Sequence, residues 1–499
     1  MKRFYYRHGA LASFSLVSLS AVAMVAAMIP NLEPFQDPTG MVSTFNTGGA
    51  IHENNAFFQP LGTNGRTCAT CHQPDQAFSI SAAGAQAVYA RTHGADPLFA
   101  AFDGANCPTD ISRDRAAHSL LLDRGLIRIG VVLPASPQFE ISVVHDPYGC
   151  AITTDPATGR PLISVYRRPL PSTNLRYLSA VMFDGRETLK PLNNALTIDA
   201  NLIFDLTDQA NTAIVTHAQG PAASAAQLAE IVQFEMGFST AQVHDDQAGS
   251  LHAHGASGGA LALSQQPYEP GANDALGGDP SGAPFNPNAF SLYTGWEKPD
   301  VNGRRYDGRD AWDDKEKNQA REDIAAGEAL FNSKPVLITG VRGLNDNATL
   351  GSPASITGTC TTCHDAPNVG DHSVALPLDI ATSRLAAYET NSAIVSGLRE
   401  LSAPDLPVYA ITGCPDPANP GQTVNYYTSD PGKGLVSGLC ADVNRGKGPI
   451  LRGLAARAPY FHNGAAANLT ELVNFYNQRF QMNLTAKEKR QLIAFLNSL

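Results

Sequence analysis

The sequence predicts a mainly α-helical fold of two domains with long loops and insertions. One cysteine-histidine motif occurs twice, at residues 68–72 and at residues 360–364, and copies so far apart indicate one domain around each. Helical periodicity recurs along the chain and is clearest near the C-terminus. The 43 glycines and 34 prolines are spread over 499 residues, which indicates long irregular connections between the helices.

The first thirty residues predict a targeting segment. Three basic residues lie among the first seven, and residues 9–29 carry no charge. This order is typical of a secretory signal peptide, with residues 21–23 as a small-residue cleavage site, or of an uncleaved membrane anchor. We therefore expect residues 1–30 to direct export to the periplasm, an oxidising compartment, with membrane attachment through the N-terminus as the alternative.

Half of the eight cysteines belong to the C-x-x-C-H pattern of c-type haem attachment, which occurs as Cys68, Cys71 and His72 and again as Cys360, Cys363 and His364. Residues i and i+3 of a helical turn share a face, so both thiols can reach the two vinyl groups of one haem. A redox-active dithiol or a zinc site is the alternative, but neither requires a histidine after each motif. The pattern predicts two covalently bound haem c groups with histidine iron ligands.

The two motifs suggest how the chain divides into c-type cytochrome domains. We expect residues 31–310 to form an N-terminal haem domain with insertions. Residues 311–499 are expected to form a C-terminal haem domain. Each domain would then have the length of an ordinary globular unit or somewhat more.

Cys107, Cys150, Cys414 and Cys440 remain and allow three pairings. We expect the pairs that are local in sequence, Cys107 with Cys150 and Cys414 with Cys440. Each would close a loop rich in glycine and proline in an oxidising compartment, where such bonds stabilise a fold. Free buried thiols are the alternative.

Local patterns predict several helices. Residues 226–234 and 323–331 have apolar side chains at helical spacing. Asn468 and Thr485 are each followed three residues later by a glutamate, which resembles a capping box at the start of a helix.

Other segments favour strands or loops. Short strands are expected near residues 127–133 and 141–144, which are rich in β-branched side chains. Residues 249–290 are rich in glycine, alanine and proline and lack periodicity. They predict a long surface loop or an excursion between domains.

Charge excludes one class of partner. The formal net charge is −11, and charged residues make up only 16% of the chain. Nucleic acid is therefore not expected as the main partner, because phosphate binding requires a basic face.

Four segments carry distinctive motifs. They read RRPLPSTN at residues 167–174, MFDGRE at 182–187, LRGLAARAPYFHNG at 451–464 and LTELV at 469–473. The first two are similar to the R-N-x-P-T-x-x-N and W-D-G-R region of the bacterial dihaem cytochrome c peroxidases and the related MauG-like enzymes. Residues 451–464 are similar to that family's L-R-N and P-Y-F-H-D-G motifs, and residues 469–473 to its L-x-E-x-V motif. The resemblance covers residues 55–80, 165–240 and 320–499.

The resemblance implies a second iron ligand for the second haem, three residues after the valine of L-x-E-x-V. The peroxidases have methionine there and the MauG-like enzymes tyrosine; this chain has Tyr476. Met482 is the competing ligand, and a packing role on an amphipathic helix is the alternative for Tyr476.

The resemblance implies that the N-terminal haem domain is peroxidatic and that the C-terminal haem domain transfers electrons. It also implies distal residues above the first haem, which would move a proton between the peroxide oxygens. Gln209 matches the family's glutamine. The family's acidic position is Gln219 here, so His217, two residues earlier, is expected to carry the proton. Glu235 is the second candidate, with a carboxylate on a helix surface as its alternative.

Further binding residues follow from the resemblance and from side-chain chemistry. A calcium ion between the domains is implied, held in part by Asn174 and by backbone carbonyls near Pro459, although a turn cap is the alternative for Asn174. Arg186 and Arg452 are expected to pair with haem propionates or buried carboxylates, because guanidinium groups form bidentate contacts with them. Ordinary structural salt bridges are the alternative.

Three functions are consistent with these observations. The one we favour is a peroxidase that reduces hydrogen peroxide with electrons from a small donor protein, such as a monohaem cytochrome c or a cupredoxin. The second is a MauG-like or rubber-oxygenase-like enzyme acting on a protein or organic substrate. Tyr476, the large chain, and Phe183 in place of the family's tryptophan favour it. The third is an electron carrier with both irons saturated.

Overall fold

The structure of the protein is a computed structural model that describes residues 28–297, 315–385, 405–416, 419 and 421–499. The predicted targeting segment lies outside the described residues except for its last three positions, and so does the expected domain boundary at residue 310. None of the described helices combines the length and the hydropathy that a bilayer span requires.

The described helices are mostly short, and the longest two have 19 residues each. In chain order they are α1 (Ala82–Thr92), α2 (Ala101–Gly104), α3 (Ser119–Arg124), α4 (Ile198–Thr216), α5 (Ala225–Met236), α6 (Ala260–Ser264), α7 (Lys315–Ser333), α8 (Gly434–Ser437), α9 (Leu469–Arg479) and α10 (Ala486–Asn497).

The described strands are short and form five small sheets. They are β1 (Met28–Ile29), β2 (Phe35–Asp37), β3 (Gly40–Asn46), β4 (Ile51–His52), β5 (Ile127–Val132), β6 (Glu140–His145), β7 (Ile152–Thr154), β8 (Pro161–Arg167), β9 (Phe238–Asp245), β10 (Gly249–Ser250), β11 (Val336–Ile338), β12 (Ile356–Gly358), β13 (Val408–Pro415) and β14 (Thr423–Thr428).

The prediction of a mainly α fold is wrong, because 32% of the structure is helical and 18% is strand. The strands predicted near residues 127–133 and 141–144 are present as β5 and β6. Several strands pair with segments distant in sequence. For example, β3 pairs antiparallel with β9, Asn46 lying opposite Phe238. Local periodicity carries no information about such a partner.

One sheet joins the two halves of the chain. Its strand order is β14-β13-β6, so β6 from the N-terminal half pairs antiparallel with β13 from the C-terminal half. Its core includes Tyr409 and Ile411, neither of which is exposed. Disulfides join Cys107 to Cys150 and Cys414 to Cys440, which are the pairs that the sequence favoured.

The two C-terminal helices start where their sequence indicates, and α10 packs on α7. The Asn468 side chain accepts a hydrogen bond from the Glu471 amide at the start of α9, and Thr485 forms a capping box with Glu488 at the start of α10. A side chain at Gly327 of α7 would overlap the Gln491 carbonyl, so only glycine allows α7 and α10 to approach this closely.

The segment 249–290 is not a surface loop throughout. It contains β10 and α6, and Leu251 and Phe290 have no exposed surface. Both belong to the largest hydrophobic core, together with Ile324 and Phe331 of α7. The expectation of a surface loop failed because isolated apolar side chains reach the core without periodic spacing.

A buried arginine at the end of strand β8 forms ion pairs with an aspartate from each half of the chain. Arg167 donates to Asp184 at 2.5 Å and to Asp430 at 2.6 and 2.9 Å, and all three side chains are almost fully buried. Burial alone would raise the pKa of Asp184, but Arg167 and Arg186 lower it to about 2. The stabilisation from this lowered pKa is therefore complete above pH 4 and lost as the pH falls towards 2.

Replacing Arg167 by methionine is expected to lower the free energy of unfolding by about 3–5 kcal/mol, because two buried carboxylates lose their main partner. The matched control is Arg115→Met, which removes an exposed pair with Asp123 and is expected to cost less than about 1 kcal/mol. Chemical denaturation followed by circular dichroism measures both. Equal losses in the two variants would contradict the structural role of Arg167.

Candidate haem cavities

Each C-x-x-C-H motif lines its own cavity. The first contains Cys68, Cys71 and His72 and encloses about 1700 Å³, part of it open to solvent. The second encloses about 1880 Å³ and contains the second motif, Cys360, Cys363 and His364. Both linings are mostly apolar, as is typical of cofactor sites.

The two motifs fold in the same way. Cys68–Thr70 and Cys360–Thr362 each form a short 3₁₀ turn that begins at a threonine, Thr67 or Thr359, and in each the amide of the second cysteine bonds the carbonyl of the first. Both cysteines of each motif line its cavity, and all four are outside the disulfides.

Backbone carbonyls orient the motif histidines. His72 Nδ1 lies 3.0 Å from the Phe78 oxygen, and His364 Nδ1 lies 2.6 Å from the Gly370 oxygen. These contacts fix the tautomer and leave Nε2 free, as in metal-ligating histidines. Burial lowers the pKa of both rings to about 4, so they are neutral at pH 7 and able to ligate a metal.

These observations fit one haem c in each cavity. The thiols, the neutral imidazole and the apolar walls are the groups that covalent attachment, iron ligation and macrocycle packing require. His72 and His364 would hold the iron, and the cysteines the porphyrin edge.

The first cavity brings together the three predicted distal residues. Gln209 lies on α4, His217 directly follows that helix, and Glu235 lies on α5; all three line the cavity. Glu235 is only 5% exposed, so the surface-carboxylate alternative is wrong. Its Oε2 has no hydrogen-bond partner, and burial raises the pKa of this carboxyl to about 7, partly offset by the Ser172 hydroxyl.

His217 is held by residues that the sequence analysis missed. Its Nδ1 lies 2.6 Å from Asp103 Oδ2, and the other Asp103 oxygen accepts a bond from Arg66. Burial opposes ionisation, but Arg66 and then His217 hold the pKa of Asp103 below its usual value. Asp103 lies on the short helix α2, and no motif surrounds it.

The second cavity contains both predicted candidates for the second iron ligand. Tyr476 on α9 and Met482, shortly after that helix, line it together with His364. The Tyr476 ring also stacks on Phe480, with centroids 5.8 Å apart. The choice between tyrosine and methionine stays a prediction.

Phe183 lies between the cavities and lines both. Its ring stacks on His462 with a centroid distance of 4.2 Å and an interplanar angle of 10°. Trp296 lies elsewhere, stacked on Tyr293 in the hydrophobic core, which favours a structural role. Trp312 lies outside the described residues.

The two predicted arginines differ in their partners. Arg186 lines the first cavity and pairs with Asp184 at 3.0 Å. Arg452 also lines it, but its described bonds go to the carbonyls of Leu499 and Asn368, and its Nη2 has no partner. Pairing with propionates stays a prediction for both.

The predicted calcium ligands already have protein partners. Asn174 Oδ1 accepts a bond from the Thr240 amide, and its Nδ2 donates to the Thr240 carbonyl. The Pro459 carbonyl accepts a bond from Arg168. A calcium ion at these positions therefore stays a prediction.

No protein-family model matches the chain. It is 30% identical over 152 residues to the cytochrome-c peroxidase IdrP2 of Denitromonas iodatirespirans, a match that covers 28% of this chain and 36% of that protein. It is 27% identical over 233 residues to the cytochrome-c peroxidase IdrP2 of Pseudomonas sp. (strain SCT), covering 43% of this chain and 53% of that protein. The chain thus spans from a third to about half of the length of these relatives, and over those parts it is similar to cytochrome-c peroxidases.

Proposed function

We propose that this protein is a periplasmic peroxidase with two covalently bound haem c groups. It would reduce hydrogen peroxide to two molecules of water with two electrons from a small donor protein and two protons. The observation that carries the proposal is the first cavity, in which His72, Gln209 and Glu235 share one lining. The similarity to cytochrome-c peroxidases supports it, and the two disulfides support an oxidising compartment.

The chain contributes proton transfer and orientation. When bound, haem supplies an iron that exchanges electrons and, where a position is open, takes a peroxide. The unpartnered Glu235 Oε2 would accept a proton from the peroxide and return it to the departing oxygen. Gln209 would orient the peroxide through its amide, and the buried Asp103 would hold His217 at the cavity wall.

Steady-state kinetics of the exported holoprotein test this proposal. A reduced monohaem cytochrome c and a reduced cupredoxin are each mixed with hydrogen peroxide, and we expect two donor molecules to be oxidised per peroxide consumed. The fully oxidised and half-reduced proteins are both measured. No peroxide-dependent oxidation in either state would contradict the proposal and favour an electron carrier.

Tyr476 supports a second candidate, a MauG-like oxidase or oxygenase, because it lines the second cavity where a methionine would suit electron storage. This enzyme would also react with peroxide, but the reduced donor would be oxidised slowly. Rapid reaction with peroxide, together with slow donor turnover and oxidation of an added protein or organic substrate, would favour it over the peroxidase.

Replacing Tyr476 by phenylalanine is expected to change the electron paramagnetic resonance spectrum of one haem and leave the other unchanged, because the phenolate oxygen that would hold the second iron is removed. Met482→Leu is the matched variant in the same cavity and is expected to leave both spectra unchanged. If Met482→Leu alters the spectrum and Tyr476→Phe does not, methionine is the ligand.

A further inference from the structure

Three buried side chains lie together next to the second C-x-x-C-H motif, whose His364 is directly followed by one of them, Asp365. Asp274, Asp365 and His372 each offer one ligand atom, and these atoms lie within 4.8 Å of one another. Their exposures are 4%, 0% and 2%. Ligand atoms about 2 Å from one tetrahedral ion lie about 3.5 Å from one another, so small side-chain rotations would close the set around an ion.

The histidine of this cluster lacks the hydrogen-bond partners that its burial demands. Neither ring nitrogen of His372 has a hydrogen-bond partner, and Nδ1 approaches Asp365 Oδ2 at 3.2 Å without hydrogen-bond alignment. The neighbouring Asp371 Oδ1 and the Tyr268 hydroxyl are also buried and unpartnered. Buried polar atoms are almost always satisfied, so this concentration indicates that a bound species completes the site.

Backbone amides donate hydrogen bonds to the carboxylates of the two aspartates, but they do not neutralise the negative charges. Asp274 accepts bonds from the amides of Leu276 (3.0 Å) and Gly278 (2.8 Å). Asp365 accepts bonds from the amides of Ser373 (2.6 Å) and Ala275 (3.2 Å). The loop that carries Asp274 thus contacts Asp365 through the Ala275 amide, and backbone amides hold both carboxylates in place.

Charge also favours a cation. Asp274, Asp365 and Asp371 place three carboxyl groups in one buried region, and Lys447 is the described cation whose charge acts on Asp371. Buried charges are retained in proteins when they are paired or bind a metal. A divalent cation would neutralise the two carboxylates that no described cation contacts.

We propose that Asp274, Asp365 and His372 form a structural site for one divalent transition-metal ion, of the kind of Zn²⁺ or Mn²⁺. An imidazole nitrogen with two carboxylates suits these ions better than Ca²⁺, which takes oxygen ligands. The ion would tie the 271–279 loop to the segment that follows His364. The site does not depend on the proposed peroxidase activity.

The test is elemental analysis of the intact holoprotein, with iron counted as haem and zinc and manganese measured separately. After growth with both metals we expect about one Zn²⁺ or Mn²⁺ per chain beyond the haem iron. Asp274→Asn keeps the side-chain shape and is expected to lose this ion while retaining all haem. Glu269→Gln changes an exposed acid on the same segment and is expected to retain it.

A second measurement covers the case in which Asp274→Asn does not fold. The wild-type protein is dialysed against a chelator that leaves haem in place, and its melting temperature is compared before and after Zn²⁺ or Mn²⁺ is restored. We expect a fall and a recovery, because an ion that binds only the folded state stabilises it.

Two results would overturn the proposal. The first is wild-type protein that contains neither metal and whose melting temperature does not respond to either. The second is a changed haem spectrum in the His372→Ala variant, together with a wild-type protein that contains neither zinc nor manganese. It would show that His372, which also lines the second cavity, serves a haem propionate instead.

Discussion

Replacing Cys68 and Cys71 by alanine is expected to remove one of two covalently bound haem groups and to abolish peroxide reduction. Both thiols line the first cavity and lie outside the disulfides, and they would form the only covalent bonds to the haem there. The pyridine haemochrome assay, referred to protein concentration, should give about half the wild-type haem content. Donor oxidation by peroxide should fall to the background rate.

Two matched variants separate haem loss from misfolding. Cys360→Ala with Cys363→Ala should also halve the haem content, but the first cavity is then intact, so peroxide should still change the absorption spectrum while donor turnover falls. Cys107→Ala with Cys150→Ala removes a disulfide and should leave both haems in place. Full peroxide turnover in the Cys68/Cys71 variant would contradict the assignment of the first cavity as the reactive one.

The sequence predicted those parts of the fold that are determined by local interactions. The helices α9 and α10 begin at Asn468 and Thr485, where a side chain next to the helix satisfies the first free amides. The β content was underestimated because β3 finds its partner in β9, about two hundred residues away in sequence, and β6 finds its partner in β13. Strand pairing of this kind depends on tertiary packing and has no short-range signal.

The site shows the same division. The C-x-x-C-H spacing carries its chemistry within five residues, and the structure gives each motif a cavity. Asp103 and Arg66 escaped notice because an aspartate and an arginine without a motif are indistinguishable from surface charges until the fold buries them. The sequence favoured His217 over Glu235 as the residue that transfers the proton. The burial of the two side chains makes Glu235 the better candidate. His217 Nδ1 is held by Asp103 and its side chain is 31% exposed, whereas Glu235 has an unpartnered oxygen inside the cavity.

Replacing Glu235 by glutamine is therefore expected to lower kcat/KM for hydrogen peroxide by about 10²–10⁴-fold, the usual contribution of a positioned acid or base. Glutamine keeps the shape of the side chain but cannot accept and return a proton. Glu230→Gln is the matched control, since Glu230 lies on the same helix and is exposed. A loss below tenfold in Glu235→Gln, or an equal loss in both variants, would contradict the role of Glu235.

The pH dependence distinguishes this catalytic role from a structural one. A proton acceptor must be ionised, so wild-type kcat/KM should rise as the pH increases through about 7, the pKa to which burial raises Glu235, and this rise should be absent in Glu235→Gln.

The stability of the fold should change with pH in the opposite direction. Because the folded-state pKa exceeds the ordinary value of 4.5, the stabilisation from protonated Glu235 is complete below pH 4.5 and is lost as the pH rises through 7. Glu235→Gln removes an uncompensated buried charge at pH 8 and should unfold there at the same or a higher denaturant concentration than the wild type. If Glu235→Gln lowers both the activity and the stability relative to the wild type at pH 8, Glu235 supports the fold and not the proton transfer.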